Sequence, residues 1–573
     1  MILLKWFLDF LKFVVREISS MIIKFIFLLV LLVLAFNYFT KNKKAPIEKK
    51  SYLKIDLSKE FNETLVQSPF DFNSKGINFY QLLKSIKTSK NDSNIQGIIL
   101  FLDDNTLSRS QIDELGETLN YFKTSNKPIY SYGAMLDNNS LLLSSYSTES
   151  LMPPSASTVV NITGYNKDIP YFKSLTEKIG IDVNVIHVGD FKTYGENYTR
   201  NEMSEENRSD LKRILDKSYS FFVNNLSENL SADSNNLNNI ILSGQLMGES
   251  SEILKNNHLI SSLKYWEDFK KEKEIENITD IGNYFSSLKE NINSKNKIAL
   301  IYADGEINYT ASKNPTASTI TPDKFISALE KASSDETIKG IVIRVNSPGG
   351  SALASDIIYN SIKNVEKPVY ISIGSVAASG GYYISTAGKK IFADKNSITG
   401  SIGVVSLIPN FKQLTEKVGV NMNDISLGKF ADLYSLTTPM TPERKEKIYN
   451  SNLKVYHEFL NRVAYGRNLP LEEVEKIAQG KVWLGEEGLN NGLVDSLGGI
   501  NKTIDSLASD LSLKDDYSVI EIPYEEDLKA LFESTLFPIQ SIFSLKYFTE
   551  TKNIKTLIDR EEIFFKPLLY MSF

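Results

Sequence analysis

Gly340-Ile341-Val342-Ile343-Arg344-Val345-Asn346-Ser347-Pro348-Gly349-Gly350-Ser351 is the stretch on which the fold turns. Its first six residues make a short, almost unbroken apolar run, the pattern of a strand buried on both faces. Segments of helical period flank it: Phe325-Ile326-Ser327-Ala328-Leu329-Glu330-Lys331-Ala332 before, and Ser355-Asp356-Ile357-Ile358-Tyr359-Asn360-Ser361-Ile362 after. Strand and helix in alternation predict an α/β architecture with largely parallel sheets.

The stretch has a second copy upstream. Gln96-Gly97-Ile98-Ile99-Leu100 matches Lys339-Gly340-Ile341-Val342-Ile343, Lys127-Pro128-Ile129-Tyr130 matches Lys367-Pro368-Val369-Tyr370, and Leu175-Thr176-Glu177-Lys178-Ile179-Gly180 matches Leu414-Thr415-Glu416-Lys417-Val418-Gly419. The spacings of 243, 240 and 239 residues drift slowly, as small loop deletions would make them. A fourth block, Gly244-Gln245-Leu246-Met247-Gly248 against Lys481-Val482-Trp483-Leu484-Gly485, extends the match to nearly all of each half. Two tandem domains are therefore expected, at 51–288 and 298–512, joined by a polar linker rich in lysine and asparagine. The tail at 513–573 mixes Phe-rich segments with Lys and Glu and receives no role.

With 573 residues the chain needs more than one core, since a domain usually takes about 100 to 200 residues. Its 42% hydrophobic and 23% charged content is that of a folded, water-facing body. A net charge of −6 gives no reason to bind nucleic acid. The absence of cysteine removes disulfides, thiolate metal sites and cysteine nucleophiles together. Only three histidines occur, His187, His258 and His457, without an HExxH motif, so catalysis must rest on hydroxyl, carboxylate or amine groups.

Residues 21–39 read MIIKFIFLLVLLVLAFNYF, broken only by Lys24 and Asn37, and reach the ~20 residues that span a bilayer. A single transmembrane anchor is expected there rather than a cleaved signal peptide, because no small-x-small cleavage site follows. Residues 1–20 alternate aromatic and charged side chains as an interfacial amphipathic segment does. Lysines flank both ends of the apolar run, so charge leaves the orientation open.

Two glycine-rich turns of the second copy carry the chemistry. Asn346-Ser347-Pro348-Gly349-Gly350-Ser351 joins a strand to a helix and frees backbone N–H groups for a polarised carbonyl. Ser375-Val376-Ala377-Ala378-Ser379-Gly380-Gly381 presents Ser379 beside the Gly380 N–H, as a serine nucleophile with an oxyanion hole requires. The first copy has Asp103-Asp104-Asn105-Thr106-Leu107 and Met135-Leu136-Asp137-Asn138-Asn139 at these places. Had the glycines served only packing, both copies would need them. Conversely, Lys192 in Gly189-Asp190-Phe191-Lys192-Thr193-Tyr194-Gly195 falls opposite Ala431. One site divided between two degenerate halves follows: a serine–lysine dyad in which burial lowers the lysine pKa enough for it to act as base.

These segments closely resemble the signal peptide peptidase A family, also called protease IV, in its two-repeat form with the ClpP/crotonase-like fold. The resemblance covers roughly 51–512 and is most specific at RVNSPGGS (from Arg344), SVAASGGYYIS (from Ser375) and TGSIGV (from Thr399). It implies Ser379 as nucleophile, Lys192 as general base, the N–H groups of Gly350 and Gly380 as oxyanion hole, and Ser401 as the auxiliary hydroxyl that orients the lysine. The family commonly has Tyr-Lys-Ser at the base, where this chain has Phe191-Lys192-Thr193. The resemblance further implies a single-pass protein of the bacterial inner membrane with a periplasmic catalytic body and a homotetrameric assembly. Implied substrates are cleaved signal peptides and other apolar peptides at the lipid membrane; no cofactor or metal is implied. A crotonase-like acyl-CoA enzyme and an inactive membrane scaffold are the alternatives. Ser209-x-x-Lys212 and Ser451-x-x-Lys454 fit the penicillin-binding S-x-x-K pattern by chance, with no Lys-Thr-Gly to accompany them.

Overall fold

The computed structural model describes residues 47–65, 76–288, 294–311, 318–514 and 516–524, together with Glu17, Met21, Lys24, Phe25 and Leu28. The segment expected at 1–20, the anchor expected at 21–39 and the tail beyond 524 lie, those five residues apart, outside the described residues. Among the described residues no helix is long and apolar enough to cross a membrane.

The repeat read in the sequence is a repeat of topology. In spatial order the first sheet runs Asn277–Asp280, Ser51–Asp56, Ile95–Phe101, Ile129–Tyr132, Glu149–Met152, Ser262–Leu263. The second runs Ser518–Glu521, Lys297–Asp304, Ile338–Ser347, Val369–Ala378, Lys390–Ala393, Ser496–Leu497, in the same sequence of crossovers and parallel throughout. A smaller set repeats as well. Met135–Asp137 pairs parallel with Val159–Asn161, which pairs antiparallel with Met247–Glu249; the end of Val369–Ala378, Ile398–Gly400 and Val482–Leu484 do the same. By these pairings Met247 corresponds to Val482 rather than to Leu484, and a register shift leaves Gly248 as an extra residue in the first-copy strand. The mixed α/β class is as expected, and the second copy takes its edge strand, Ser518–Glu521, from beyond Ser512.

Ile341, Val342, Ile343 and Val345 are buried on both faces of the sheet. The following helix, Ala352–Lys363, begins at Ser351, whose hydroxyl accepts the Ala354 N–H and satisfies one of the amides a helix start leaves unpaired. One apolar cluster runs through both copies: Leu53, Ile98 and Leu100 of the first pack in it with Leu300, Val342, Tyr370 and Leu507 of the second. The copies therefore share a core.

They also share a strand pair, which decides where the site forms. Asp182–Val188 of the first copy pairs antiparallel with Val404–Asn410 of the second. The 26-residue helix Pro442–Arg467 packs over it, and Asn452 Nδ2 donates to the Ile186 carbonyl at 2.8 Å. This crossing carries the loop 189–195 out of its own copy and onto the other.

Candidate active site

Ser379 stands where the strand Val369–Ala378 turns into the helix Gly380–Ser385, with φ 57° and ψ −121°. A non-glycine residue there carries strain on the order of 1–3 kcal/mol. At the corresponding turn of the first copy, Asp137 caps its helix in relaxed extended geometry, φ −99° and ψ −176°. The fold accepts an unstrained turn, so the strain goes with the serine.

The turn after the strand Ile338–Ser347 lies against this one. Ile307 bridges Gly350 in parallel: its N–H donates to the Gly349 carbonyl at 2.8 Å, and its own carbonyl accepts the Ser351 N–H at 2.7 Å. Such a bridge turns the N–H of the middle residue, Gly350, away from Ile307. Gly350 has φ 145°, and a Cβ there would collide with the Ile307 carbonyl, so only glycine fits. A Cβ at Gly380 would lie 3.3 Å from the Gly350 nitrogen, so the two turns are in contact. The Gly380 N–H opens a helix and has no acceptor within it.

Lys192 arrives from the other copy. Its loop is held by the Phe191 N–H donating to the Gln479 carbonyl at 2.8 Å. Gly480, at φ 79°, packs so closely on the Lys192 backbone that any Cβ would meet the Lys192 nitrogen. The same short loop donates its Gly480 N–H to the Ile402 carbonyl at 2.7 Å and accepts the Ser401 N–H on the Lys481 carbonyl at 2.8 Å. Residues 479–481 are thereby wedged between the lysine loop and the Ser401 turn. Sequence reasoning misses Gly480; a glycine just before the strand Val482–Leu484 is the available signal.

The side chains converge. Lys192 Nζ lies 2.7 Å from Ser379 Oγ, 3.0 Å from the Ser401 carbonyl oxygen and 3.1 Å from Ser401 Oγ. Lys192 is 3% exposed and Ser379 is 2% exposed. Burial alone pushes the Lys192 amine down from 10.5 to about 7, with no charged neighbour as a cause. All five residues singled out in the sequence thus meet at one junction between the copies. Beside the lysine loop opens a cavity of about 730 Å³, bordered by Val183, Val185, Tyr194, Tyr198 and Met440 among others. Its charged border holds five carboxylates (Glu177, Asp182, Asp190, Glu196, Glu206) against three cations besides Lys192 (Lys173, Arg200, Lys445).

Beneath the junction Arg344, fully buried, donates to Glu63 at 2.9 and 3.0 Å and to Glu114 at 2.5 Å, both on the first copy. It also donates to Ser372 Oγ at 2.9 Å and to the Ile373 carbonyl at 3.2 Å on the strand leading to Ser379. Two carboxylates keep its charge compensated where water cannot.

Comparison with known proteins identifies the family. The model of peptidase family S49 matches residues 121–278 and 361–514, and the Clp protease model matches 297–398. Protease 4 of Haemophilus influenzae is 30% identical over 473 residues, covering 78% of this chain and 75% of that one. The Arabidopsis thaliana protein named serine protease SPPA, chloroplastic, is 30% identical over 80% of this chain and 69% of its own. Protease 4 of Salmonella typhi is 30% identical over 76% and 72%. Two S49 repeats, a ClpP-like second copy and relatives matched along most of their length mean that the chain belongs to peptidase family S49 and is a serine peptidase.

Proposed function

We propose that the enzyme hydrolyses peptide bonds with a Ser379–Lys192 dyad, and the 2.7 Å approach of a desolvated lysine amine to the serine hydroxyl is the observation that carries this reading. Neutral Lys192 takes the Ser379 proton as Oγ attacks the scissile carbonyl carbon. The carbonyl oxygen becomes an oxyanion accepting from the Gly350 and Gly380 N–H groups. Collapse of the intermediate breaks the C–N bond; the lysine ammonium returns its proton to the leaving amine, and an acyl-enzyme remains. A water then attacks the ester, giving its proton to Lys192, and the serine is regenerated with release of the carboxylate product. Ser401 holds the amine through its hydroxyl and carbonyl, fixing the lone pair toward Ser379. The excess of carboxylates around the adjoining cavity disfavours a CoA phosphate there and speaks against the acyl-CoA alternative.

The substrates proposed are cleaved signal peptides and other apolar peptides. The proposed setting is the bacterial inner membrane, with residues 21–39 as a single-pass anchor and the body on the periplasmic side. The apolar run ends at Phe39, twelve residues before the first strand of the fold begins at Ser51, which supports a body tethered close to the lipid. We also propose the homotetramer. Adding the 239-residue repeat spacing to 182–188 gives 421–427, and subtracting it from 404–410 gives 165–171, so the pair that joins the copies has an unpaired counterpart in each copy. Residues 421–427 are exposed, with Met422, Ile425 and Leu427 among them, and Gly419 faces open space where its counterpart Gly180 packs on Leu414. Head-to-tail contacts of this type close into a ring when the rotation from one copy to the next closes, as a tetramer requires.

The test is labelling of the detergent-solubilised protein with a fluorophosphonate, comparing the wild type with Ser379→Ala and Lys192→Ala. Loss in both, with circular dichroism unchanged, is the expected result. Labelling that survives Lys192→Ala would remove the lysine from the mechanism.

A further inference from the structure

The strand that delivers Ser379 does not run regularly to its end. Val345 pairs with Ile373 and Ser347 with Ala377, so two residues on one strand span four on the other. Gly374 to Val376, three residues facing the single Asn346, form a bulge, and a bulge beside a reactive group re-aims the residues beyond it. A bulge also leaves backbone groups without ladder partners, and side chains meet two of them here, the Gly374 carbonyl and the Val376 N–H. Ser397 Oγ donates to the Gly374 carbonyl at 2.7 Å, and Ser375 Oγ pairs with Ser108 Oγ of the first copy at 2.7 Å. The Val376 N–H donates to Asn346 Oδ1 at 3.3 Å.

Asn346 is placed differently from the others because its carboxamide works in two directions. Its Nδ2 donates to Asp304 Oδ1 at 3.0 Å, and Asp304 Oδ2 accepts Thr64 Oγ1 from the first copy at 2.8 Å. Its own carbonyl accepts the Gly305 N–H at 2.9 Å. Asp304 and Gly305 open the segment whose Ile307 bridges Gly350. One side chain therefore ties three strand ends together: the one before Ile307, the one before Gly350, which Asn346 itself begins, and the one before Ser379.

The degenerate copy separates what the fold needs from what the chemistry needs. With the spacing of 243, Asn346 corresponds to Asp103, and Asp103 Oδ1 accepts the Ala134 and Met135 N–H groups at 2.7 and 2.8 Å. An acceptor at this place is common to both copies. The donor half of the side chain is not, since a carboxylate cannot donate, and Ser58 stands at the position corresponding to Asp304 when the neighbouring strand pairs are matched. The donor and its Asp304 partner occur only in the copy that holds the serine.

We propose that Asn346 is a positioning residue for hydrolysis: by binding Asp304 on one side and the bulge on the other, its carboxamide sets where the Gly350 and Gly380 N–H groups stand relative to Ser379 Oγ. This rests on the reading of Ser379 as nucleophile. Because the oxyanion is absent from the bound substrate and develops only on the way to the tetrahedral intermediate, loosening the tie lowers kcat and leaves KM in place.

The full chain in detergent is assayed on a fluorogenic apolar peptide as wild type, Asn346→Ala, Asn346→Asp and the exchange Asp304→Asn with Asn346→Asp. In the exchange, the carboxylate at 346 accepts from Val376 and from the new amide at 304, whose oxygen still accepts from Thr64, so every hydrogen bond is restored with donor and acceptor reversed. Both single variants are expected to lose about 10- to 100-fold in kcat with KM within about twofold, and the exchange is expected to return to within a few-fold of wild type. Wild-type kcat in Asn346→Ala overturns the proposal, as does a loss the exchange fails to recover, or a rise in KM that accounts for the loss. Should Asn346→Ala fail to fold, Asn346→Asp against the exchange makes the same comparison. Fluorophosphonate mapping on the wild type separates the two readings: a label elsewhere than Ser379 refutes the nucleophile, whereas a label at Ser379 with unchanged rates in the variants refutes only the role of Asn346.

Discussion

A lysine held neutral by burial makes stability rise with pH, as a paired carboxylate does, but over a higher pH range and as a cost rather than a gain, and replacing Lys192 with methionine isolates the effect. The amine titrates at 10.5 in the unfolded chain and at about 7 in the fold, with burial as the cause. Between those values the unfolded chain carries one proton that the folded protein lacks, so stability rises with pH; below about 7 both states are protonated and the cost is constant. At ~1.4 kcal/mol per pH unit, keeping the amine in place costs roughly 4 kcal/mol at pH 7 and about 1.4 kcal/mol at pH 9.5. Methionine fills similar volume without a charge. Its own penalty, the hydrogen bonds lost by Ser401 and its neighbours, does not vary with pH. To prevent self-cleavage, Ser379→Ala is compared with Ser379→Ala carrying Lys192→Met, and urea midpoints are read by pulse proteolysis at both pH values. The advantage of methionine should shrink by about 3 kcal/mol from pH 7 to pH 9.5. A stability difference that is the same at both would mean that Lys192 is not a desolvated amine, and the base assignment would fall with it.

In the proposed mechanism the same titration sets activity: kcat/KM should rise with pH through one protonation step near 7 and then level, and an acid limb centred near 5 would point to a carboxylate base instead. Gly350→Ala forces a Cβ against the Ile307 carbonyl and displaces the turn that offers the Gly350 N–H; a loss of about 10²- to 10³-fold in kcat on a peptide substrate is expected, and near-normal turnover would exclude this amide from the oxyanion hole. Glu114→Ala leaves buried Arg344 with Glu63 alone and removes the acceptor of the Ile500 N–H. It should destabilise the protein by about 3–5 kcal/mol, read as a lowered urea midpoint, and an unchanged midpoint would show that the pair does not hold the copies together.

How much of this was legible in the sequence depended on whether a feature was local. Buried strands such as Ile341 to Val345 announce themselves by composition, and having each twice, in register, made the α/β class and the division of the chain readable without contacts. Ser379 and Lys192 were readable for the opposite reason: they are where the copies stop agreeing. What stayed hidden is what the copies do to each other. Asp182–Val188 and its counterpart 421–427 follow nearly identical blocks, yet only the first finds a strand to pair with, because pairing is settled by what lies across the gap and not by the segment itself. Ser518–Glu521, four half-buried residues after the last matching block, has too little period to separate from the tail. Gly480 is hidden for a related cause, its need for glycine being set by a loop nearly 290 residues away.

Arg344 and Asn346 belong to a third kind. They were visible in a motif whose glycines explained it sufficiently, and their own work lies elsewhere: Arg344 bonds Glu63 and Glu114 of the other copy, and Asn346 bonds Asp304, which Thr64 of that copy holds. The division of labour then has a physical logic. In the proposed mechanism a desolvated base and a strained nucleophile each weigh on the stability of whatever domain holds them. Placed in separate copies that share a core, they meet only when the two are docked, and the polar ties from Glu63, Thr64 and Glu114 make docking the same event as shaping the turn before Ser379. The first copy, with relaxed Asp137 at its own turn, is free to serve as the platform that delivers the lysine.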